Sequence, residues 1–427
     1  MDTGRRILLL SGLVAFGLTW SVLLDLAASP FEAPVAVTER SLLPLIEKEY
    51  LPPTPPATPT PTTPRTPTPT ATQTPTTTQT RTNTPSPTPT PTSTGCFPAT
   101  IVFTFVPPIS STADLSGRVT CVTPVDYRVA VYINVDGWWI KPYSGTVTII
   151  QDDGTWTTDI TTGGSDPLAT EVVAFLIPMT YTPPSLLDAA LLPEELYSNS
   201  VAFTSAVRRP ARTITFAGFT WTVKYAPVRA DPGWNYYSDD LADVWVDGDG
   251  ALHLRLAYRN GVWYATEVIG PEGLSYGTYT VTLGSRVDLL DKNVVLGFFT
   301  WDTAAPQNHY REIDIEFGRW GEALGQNAQY VVQPWDVFGN RYRFNLSLPE
   351  TDSVHRFTWQ PGRIDFESRA GSGALVQSWA YTNTAYIPPA GGGSIRLNLW
   401  LLKDMAPSDG QEVEVVIKSV QFTPAGP

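Results

Sequence analysis

The chain has 427 residues, of which only 16% are charged and 42% are hydrophobic, with 40 Pro and 32 Gly among them. Such a length divides into more than one core, and so much Pro and Gly excludes a long helical bundle, because both interrupt helices. A formal net charge of −13 supplies no basic surface for a phosphate backbone, so no nucleic-acid partner is expected. Two Cys and three His leave no cluster with zinc spacing.

Arg5 and Arg6 precede an apolar run from Ile7 to Leu24, which reaches the lower limit of about 18 residues for spanning a bilayer. Residues 1–28 therefore read as a signal peptide or membrane anchor, with the basic flank inside and all that follows outside the cytoplasmic membrane. Ala27 and Ala28 are small but form no clean cleavage pattern, so both fates stay open. Residues 29–95 read as a disordered stalk. From Pro52 to Thr94 they are almost entirely Thr and Pro, as in PTPTTPRTPTPT, a composition that cannot bury apolar surface and favours polyproline II. At about 3.1 Å per residue the spacer reaches on the order of 100 Å. The expected location is extracellular, secreted or tethered to the outer side of the membrane.

Residues 96–208 read as a small accessory β-sandwich. Val129, Val131, Ile133 and Val135 alternate on one face of a strand, and similar runs surround Val147 and Val172. Cys96 and Cys121 sit at its first two strands, where a bridge would fasten the stalk junction, though spacing alone does not decide their pairing. Trp138, Trp139, Tyr143 and Trp156 suit either a sugar-stacking platform or, more simply, core and turn packing.

Residues 209–427 show short strands parted by Gly, Asp and Asn turns. Leu252, Leu254 and Leu256 alternate with His253 and Arg255; Tyr279, Val281 and Leu283 form a second such run, and Val413, Val415 and Ile417 a third. No long helical segments separate them, which favours an antiparallel two-sheet sandwich over a parallel βαβ fold. The length suits a jelly roll. The fold class expected is all-β: an antiparallel jelly-roll sandwich preceded by a smaller β-sandwich.

Within that region, His309 to Phe317 carries the chemistry. Strand alternation sends Ile313, Ile315 and Phe317 into the core and places Glu312, Asp314 and Glu316 together on the opposite face. Neighbours two apart lie roughly 6.5 Å from each other, and like charges there repel, so folding gains nothing from the arrangement. A solvated acidic face is the plain alternative. A calcium site is another, but one strand supplies only three residues along a line. Glycoside hydrolysis needs two carboxyl groups, one attacking and one keeping its proton for the leaving oxygen, and crowded acids acquire pKa values pushed apart.

The sequence EIDIEF resembles the E-x-D-x-E signature of glycoside hydrolase family 16, a family of β-jelly rolls. The resemblance covers about 190 residues, from NYYSDDLADVWVDGDGALHLRL and EGLSYGTYTVTL through VVLGFFTWD to HRFTWQPGRIDFES and IRLNLWLL. It implies Glu312 as nucleophile, Asp314 as its support and Glu316 as acid/base, with retention of configuration. It also implies sugar-binding positions at Asn235, Tyr236, Glu267, Trp301, Gln329, Asn398 and Trp400, residue types that stack on pyranose rings or pair with hydroxyls. Arg311 departs from the pattern, since relatives commonly place Asp or a small polar residue there. The stretch Gly318 to Asn327 resembles an insertion that reshapes one end of the cleft, and Val331 and Val332 are less polar than a lichenase-like cleft would require.

The expected function is therefore an exported, retaining endo-glycosidase acting on mixed-linkage 1,3-1,4- or 1,3-β-glucan. The alternatives are a transglycosylase on a related glycan and a non-catalytic glycan-binding surface protein. The expected partner is a polysaccharide, with a membrane contact through the N-terminal segment and a monomeric state. No cofactor is required. The resemblance admits a structural calcium, to which Asp247 and Asp249 could contribute, although the D-G-D-G sequence reads first as a turn.

Overall fold

The computed structural model describes residues 36–38, 96 and 98–426. The predicted anchor lies outside the described residues, as does the stalk apart from Ala36–Thr38, whose backbone pairs antiparallel with the strand Ala202–Val207.

Between residues 98 and 208 two sheets face each other. One runs Ala36–Thr38, Ala202–Val207, Glu171–Pro178, Tyr127–Asn134, Trp138–Lys141, with Thr148–Ile149 also paired to Tyr127–Asn134; the other runs Thr100–Phe105, Leu115–Thr120, Thr155–Thr158. Val129, Val131 and Ile133 enter the core between them, as their alternation predicts. The intervening Ala130 and Tyr132 are equally buried, in a second cluster with Phe175, Leu196, Tyr197, Phe203 and Val228. The central strand is therefore covered on both faces, which explains why its outward positions are apolar too. Cys96 and Cys121 are joined as a disulfide with Cα atoms 4.8 Å apart.

The aromatic group read as a possible platform is not one surface. Trp156 is buried in the first cluster beside Phe103, Trp138 is buried in the second, Trp139 packs against the first, and Tyr143 alone is exposed. Alternation separates Trp138 from Trp139, and core packing takes all three indoles.

From Thr213 to Pro424, 17 strands form one continuous hydrogen-bonded network. All but two of them are laid out as two antiparallel layers; the other two, Ala226–Ala230 and Asn235–Tyr237, pair with each other, and Asn235–Tyr237 runs parallel to Val262–Ile269. The first layer runs Thr213–Phe216, Phe219–Val223, Val262–Ile269, Ser394–Leu401, Val294–Trp301, Ile313–Phe317, Ala328–Val332, Arg341–Phe344. The second runs Val244–Val246, Leu252–Arg259, Val413–Pro424, Gly277–Leu283, Ser353–Gln360, Arg363–Ala370, Leu375–Tyr381. The alternating residues Leu252, Leu254 and Leu256, then Tyr279, Val281 and Leu283, join Ile313, Ile315 and Phe317 in the core between the layers. Each such layer has one packed face and one free for polar residues, which is the division an antiparallel sandwich permits. The jelly-roll expectation is met.

Candidate active site

Ile313, Ile315 and Phe317 are fully buried in the core, so the strand's pleat turns Glu312, Asp314 and Glu316 to the outer face of the first layer. The regular strand begins at Ile313, and Glu312 stands at its entrance with extended backbone angles, φ −82° and ψ 124°. Asp314 is 3% exposed. Glu312 and Glu316 are partly open, so the acids are neither splayed into bulk water nor sealed in.

Cross-strand register then collects residues from distant parts of the sequence. Glu267, Asn398, Gly297, Glu316 and Gln329 pair in succession across five strands, and Ile269, Arg396, Phe299, Asp314 and Val331 form the neighbouring row. Directly opposed residues share a face. Gln329 donates from Nε2 to Oε2 of Glu316 at 2.6 Å, and Gln333 donates to Oδ2 of Asp314 at 3.1 Å. Oδ1 of Asn398 and Oε1 of Gln329 are buried without a hydrogen-bond partner. Two unsatisfied acceptors flanking an acid are destabilising unless a donor arrives, and sugar hydroxyls are donors of the right kind.

The electrostatics follow from burial and crowding. Burial, then the charges of Glu312 and Glu316, raises Asp314 well above the usual carboxylate range. Burial and then the charge of Glu316 push Glu312 up to about 8, against a hydrogen bond from Asp314 and the charge of Arg396. Burial raises Glu316 as well, opposed by the Gln329 hydrogen bond and the charge of Arg341. Asp314 thus keeps a proton and shares it with Glu312, which favours charge on Glu312 rather than on itself.

Not every expected sugar contact is brought to this face with a free polar group. Glu267 lies in the acid row but is buried and doubly paired, to Lys224 at 2.8 Å and Arg396 at 3.1 Å, so its oxygens are committed. Asn235 is fully buried: its Nδ2 donates to the carbonyls of Pro232 and Leu401, and its Oδ1 accepts from the Leu401 amide. Tyr236 is buried against Tyr264 under the guanidinium of Arg229. In all three the side chain is engaged by partners within the protein, as buried polar groups are. Trp301, Gln329, Asn398 and Trp400 lie on other strands of the same layer and by register on the face of the acids, although Trp400 is itself buried in the core cluster. The Trp301 ring stacks on Tyr310 at 4.3 Å and 7°.

Sequence reasoning missed several neighbours. Gly297 faces Glu316, and a methyl group there would stand 2.5 Å from Oδ1 of Asn398. A lone glycine inside the strand VVLGFFTW was its available signal. Gln333, Arg341, Arg343 and Arg396 left none, since only register brings them in. Arg311 pairs with the Asp302 carboxylate and donates from Nε to Pro389 O at 3.1 Å. Asp247 is the turn residue expected of D-G-D-G: its Oδ1 accepts the amides of Asp249 and Ala251 at 3.0 and 2.8 Å, and its Oδ2 meets His253 at 3.0 Å. A depression of about 290 Å³ on the second layer, lined by Arg356, Arg363, Asp365 and Glu367 among others, holds paired charges and lies apart from the acids.

No family model matches the chain. It is 31% identical over 148 residues to a β-glucanase of Acetivibrio thermocellus, a match that covers 34% of this chain and 38% of that protein. A second β-glucanase from the same organism matches at 30% over the same length. The chain spans well under half the length of these curated relatives. Among solved structures it is similar to a family 16 protein of a Bacteroides ovatus mixed-linkage glucan locus, at 16% identity and a TM-score of 0.37, covering 48% of this chain and 94% of that one. It is also similar to a β-1,3-glucanase from Mycobacterium marinum, at 19% identity and a TM-score of 0.35, covering 48% and 90%. Overlap at that level carries no argument about chemistry.

Proposed function

We propose that this is an exported, retaining endo-glycosidase of the family 16 type acting on β-glucan-type polysaccharide, of mixed 1,3-1,4 or 1,3 linkage; the EIDIEF strand and the partial likeness to the Acetivibrio thermocellus β-glucanases support the reading. The observation that supports it most is the acid trio itself: Glu312 and Glu316 partly open, with the buried Asp314 between them holding a proton toward Glu312.

In this reading Glu312, in its ionised fraction, attacks the anomeric carbon and forms an ester, while Glu316 transfers its proton to the departing glycosidic oxygen. Glu316, now ionised, takes a proton from water. The water oxygen bonds to the anomeric carbon, the ester breaks, and Glu312 returns as carboxylate. Burial raises the pKa of Glu316, a shift in the direction a proton donor needs. Asp314, by donating its hydrogen bond to Glu312, offsets the burial that disfavours charge there. This chemistry needs no cofactor. Residues 1–28 and the Thr/Pro stalk would hold the enzyme outside the membrane.

The test is reducing-end release from mixed-linkage glucan and laminarin, with product anomers followed by NMR. Glu312→Gln and Glu316→Gln should each lower kcat by about 10²–10⁴-fold, the usual worth of a general acid/base or nucleophile. Initial products should keep the β configuration. Binding without turnover in the wild type would replace this reading with a glycan-binding surface protein.

A further inference from the structure

The outer face beside the acids is bounded by two arginines, of which Arg341 also bears on Glu316 through its charge. Arg341 lies opposite Val331 and Arg343 opposite Gln329. Gln329 is hydrogen-bonded to Glu316, so both arginines share the face of the acids. Their Cα atoms are two residues apart on one strand, roughly 6.5–7 Å, and like charges so placed repel. Each guanidinium is held over an indole: Arg341 at 5.1 Å from the Trp335 ring centroid, Arg343 at 4.5 Å from that of Trp320. Trp320 belongs to the insertion-like stretch 318–327, and Trp335 is half exposed.

Their charges are poorly compensated. The other cations on this face, Lys224 and Arg396, both close on Glu267. Arg341 is exposed and has no ion pair among the described residues. Arg343 has Glu322 as its ion-pair partner at 3.8 Å, a carboxylate whose side chain is 62% exposed; its Nη2 donates to the Gln326 carbonyl at 3.2 Å, and its Nε is buried without a hydrogen-bond partner. Two under-neutralised guanidinium forks, in a chain of net charge −13, raise the local potential where a substrate would lie. A neutral glucan has no use for that potential. A planar fork pairs instead with the oxygens of a sulfate ester or a carboxylate, and the indole beneath each fork fixes its plane.

We propose that the end of the acid face formed by the strand Arg341–Phe344 and the 318–327 stretch receives a glycan bearing anionic groups, sulfate esters or uronate carboxylates, held by Arg341 and Arg343. The proposal deepens the hydrolase reading and rests on it.

The experiment uses the full chain and polysaccharides of one β-glucan backbone in neutral, sulfated and carboxylated forms. It measures kcat/KM at low and high salt, and binding to the Glu316→Gln protein by calorimetry. The expected result is that at least one anionic form exceeds the neutral form by about tenfold or more at low salt. That preference should collapse as salt screens the guanidinium forks. Arg341→Gln and Arg343→Gln should each reduce the anionic-to-neutral ratio severalfold, with Arg343→Lys intermediate. Whichever derivative carries the preference identifies the anion. Turnover of neutral glucan with no anionic preference, or a preference unmoved by both Gln variants, overturns the inference and leaves the hydrolase reading standing. Absence of turnover on every polymer defeats the hydrolase reading instead; salt-sensitive binding to Glu316→Gln that fails in Arg341→Gln would still support the anion site, and salt-insensitive binding would overturn it.

Discussion

Gly297 stands directly across from Glu316 on the adjacent strand, and its missing side chain is the space into which Oδ1 of Asn398 projects. Its φ is not left-handed, so alanine is free of backbone strain there, and the substitution acts through crowding alone. Gly297→Ala should push the Asn398 amide away from the acid row. Misplacement on the scale of an ångström lowers turnover by about 10²-fold, so we expect a kcat loss of about 10–10² with the melting temperature nearly unchanged. Steady-state kinetics beside calorimetry checks this, and an unaltered kcat would show that Asn398 has no part in the chemistry.

The Gln329 hydrogen bond favours the ionised form of Glu316. Gln329→Leu removes it, so the proton on Glu316 is held more tightly and its pKa rises further. An acid that must be protonated to act sets the alkaline limb of the pH–rate profile. That limb should therefore move to higher pH in the variant. The acids titrate as a coupled set, so the readout is the displacement of the limb in kcat/KM, not a pKa assigned to one residue. A limb that stays put, or moves down, removes Glu316 from the acid role.

Much of this site was legible because short-range rules govern it. Period two placed Ile313, Ile315 and Phe317 in the core and so put the three acids on one face. The limits are equally physical. Glu267 reads as a cleft residue, yet Lys224 and Arg396 neutralise it, and Arg396 is 129 residues away in sequence. Asn235 reads as a polar sugar contact, yet it staples the backbone of Leu401, 166 residues on. Local pattern carries no information about such register. The strand Tyr127–Asn134 shows the same limit, since its second buried face is covered by residues distant in sequence, Leu192, Leu196 and Tyr197, with Val228 joining the cluster.

Removing charge from the acid trio should stabilise the fold at alkaline pH. Glu312 has a folded-state pKa of about 8, above its ordinary value, with burial as the main cause. A group raised on folding contributes its stability in full below its unfolded pKa and loses it as pH climbs toward the folded value. Wild-type stability should thus decline between about pH 4.5 and pH 8 through this group. Glu312→Gln cannot ionise and escapes that decline. Its melting temperature should match wild type near pH 4 and exceed it by several degrees at pH 8, since 1 kcal/mol moves a domain of this size by about 2–4 °C. Melting curves from pH 4 to 9 decide it, and a constant offset across the range would mean that Glu312 is not buried with a raised pKa.

Arg311 is expected to position Glu312 rather than to touch substrate, because its side chain is tied to Asp302 and Pro389 O. His309, Tyr310 and Arg311 are three successive non-glycine residues in the left-handed region, at φ 50°, 57° and 51°, immediately before Glu312. Each such residue costs on the order of 1–3 kcal/mol and persists only where its surroundings hold it. The Asp302 amide donates to Tyr310 O at 2.7 Å, Tyr310 stacks on Trp301, and Thr300 Oγ1 donates to Arg311 O at 2.8 Å. The Arg311 side chain adds its ion pair with Asp302 and its bond to Pro389 O. Arg311→Ala deletes both, and the turn should relax and let Glu312 drift from the strand's entrance. We expect kcat to fall by about 10–10²-fold with KM changed little, because Gln329 and Asn398, the proposed sugar contacts, are untouched. Arg311→Lys, which keeps the charge opposite Asp302 but not the fork, should recover part of the loss. A rise in KM with kcat preserved would instead make Arg311 a binding residue, and no change in either would mean that the backbone bonds alone hold the turn.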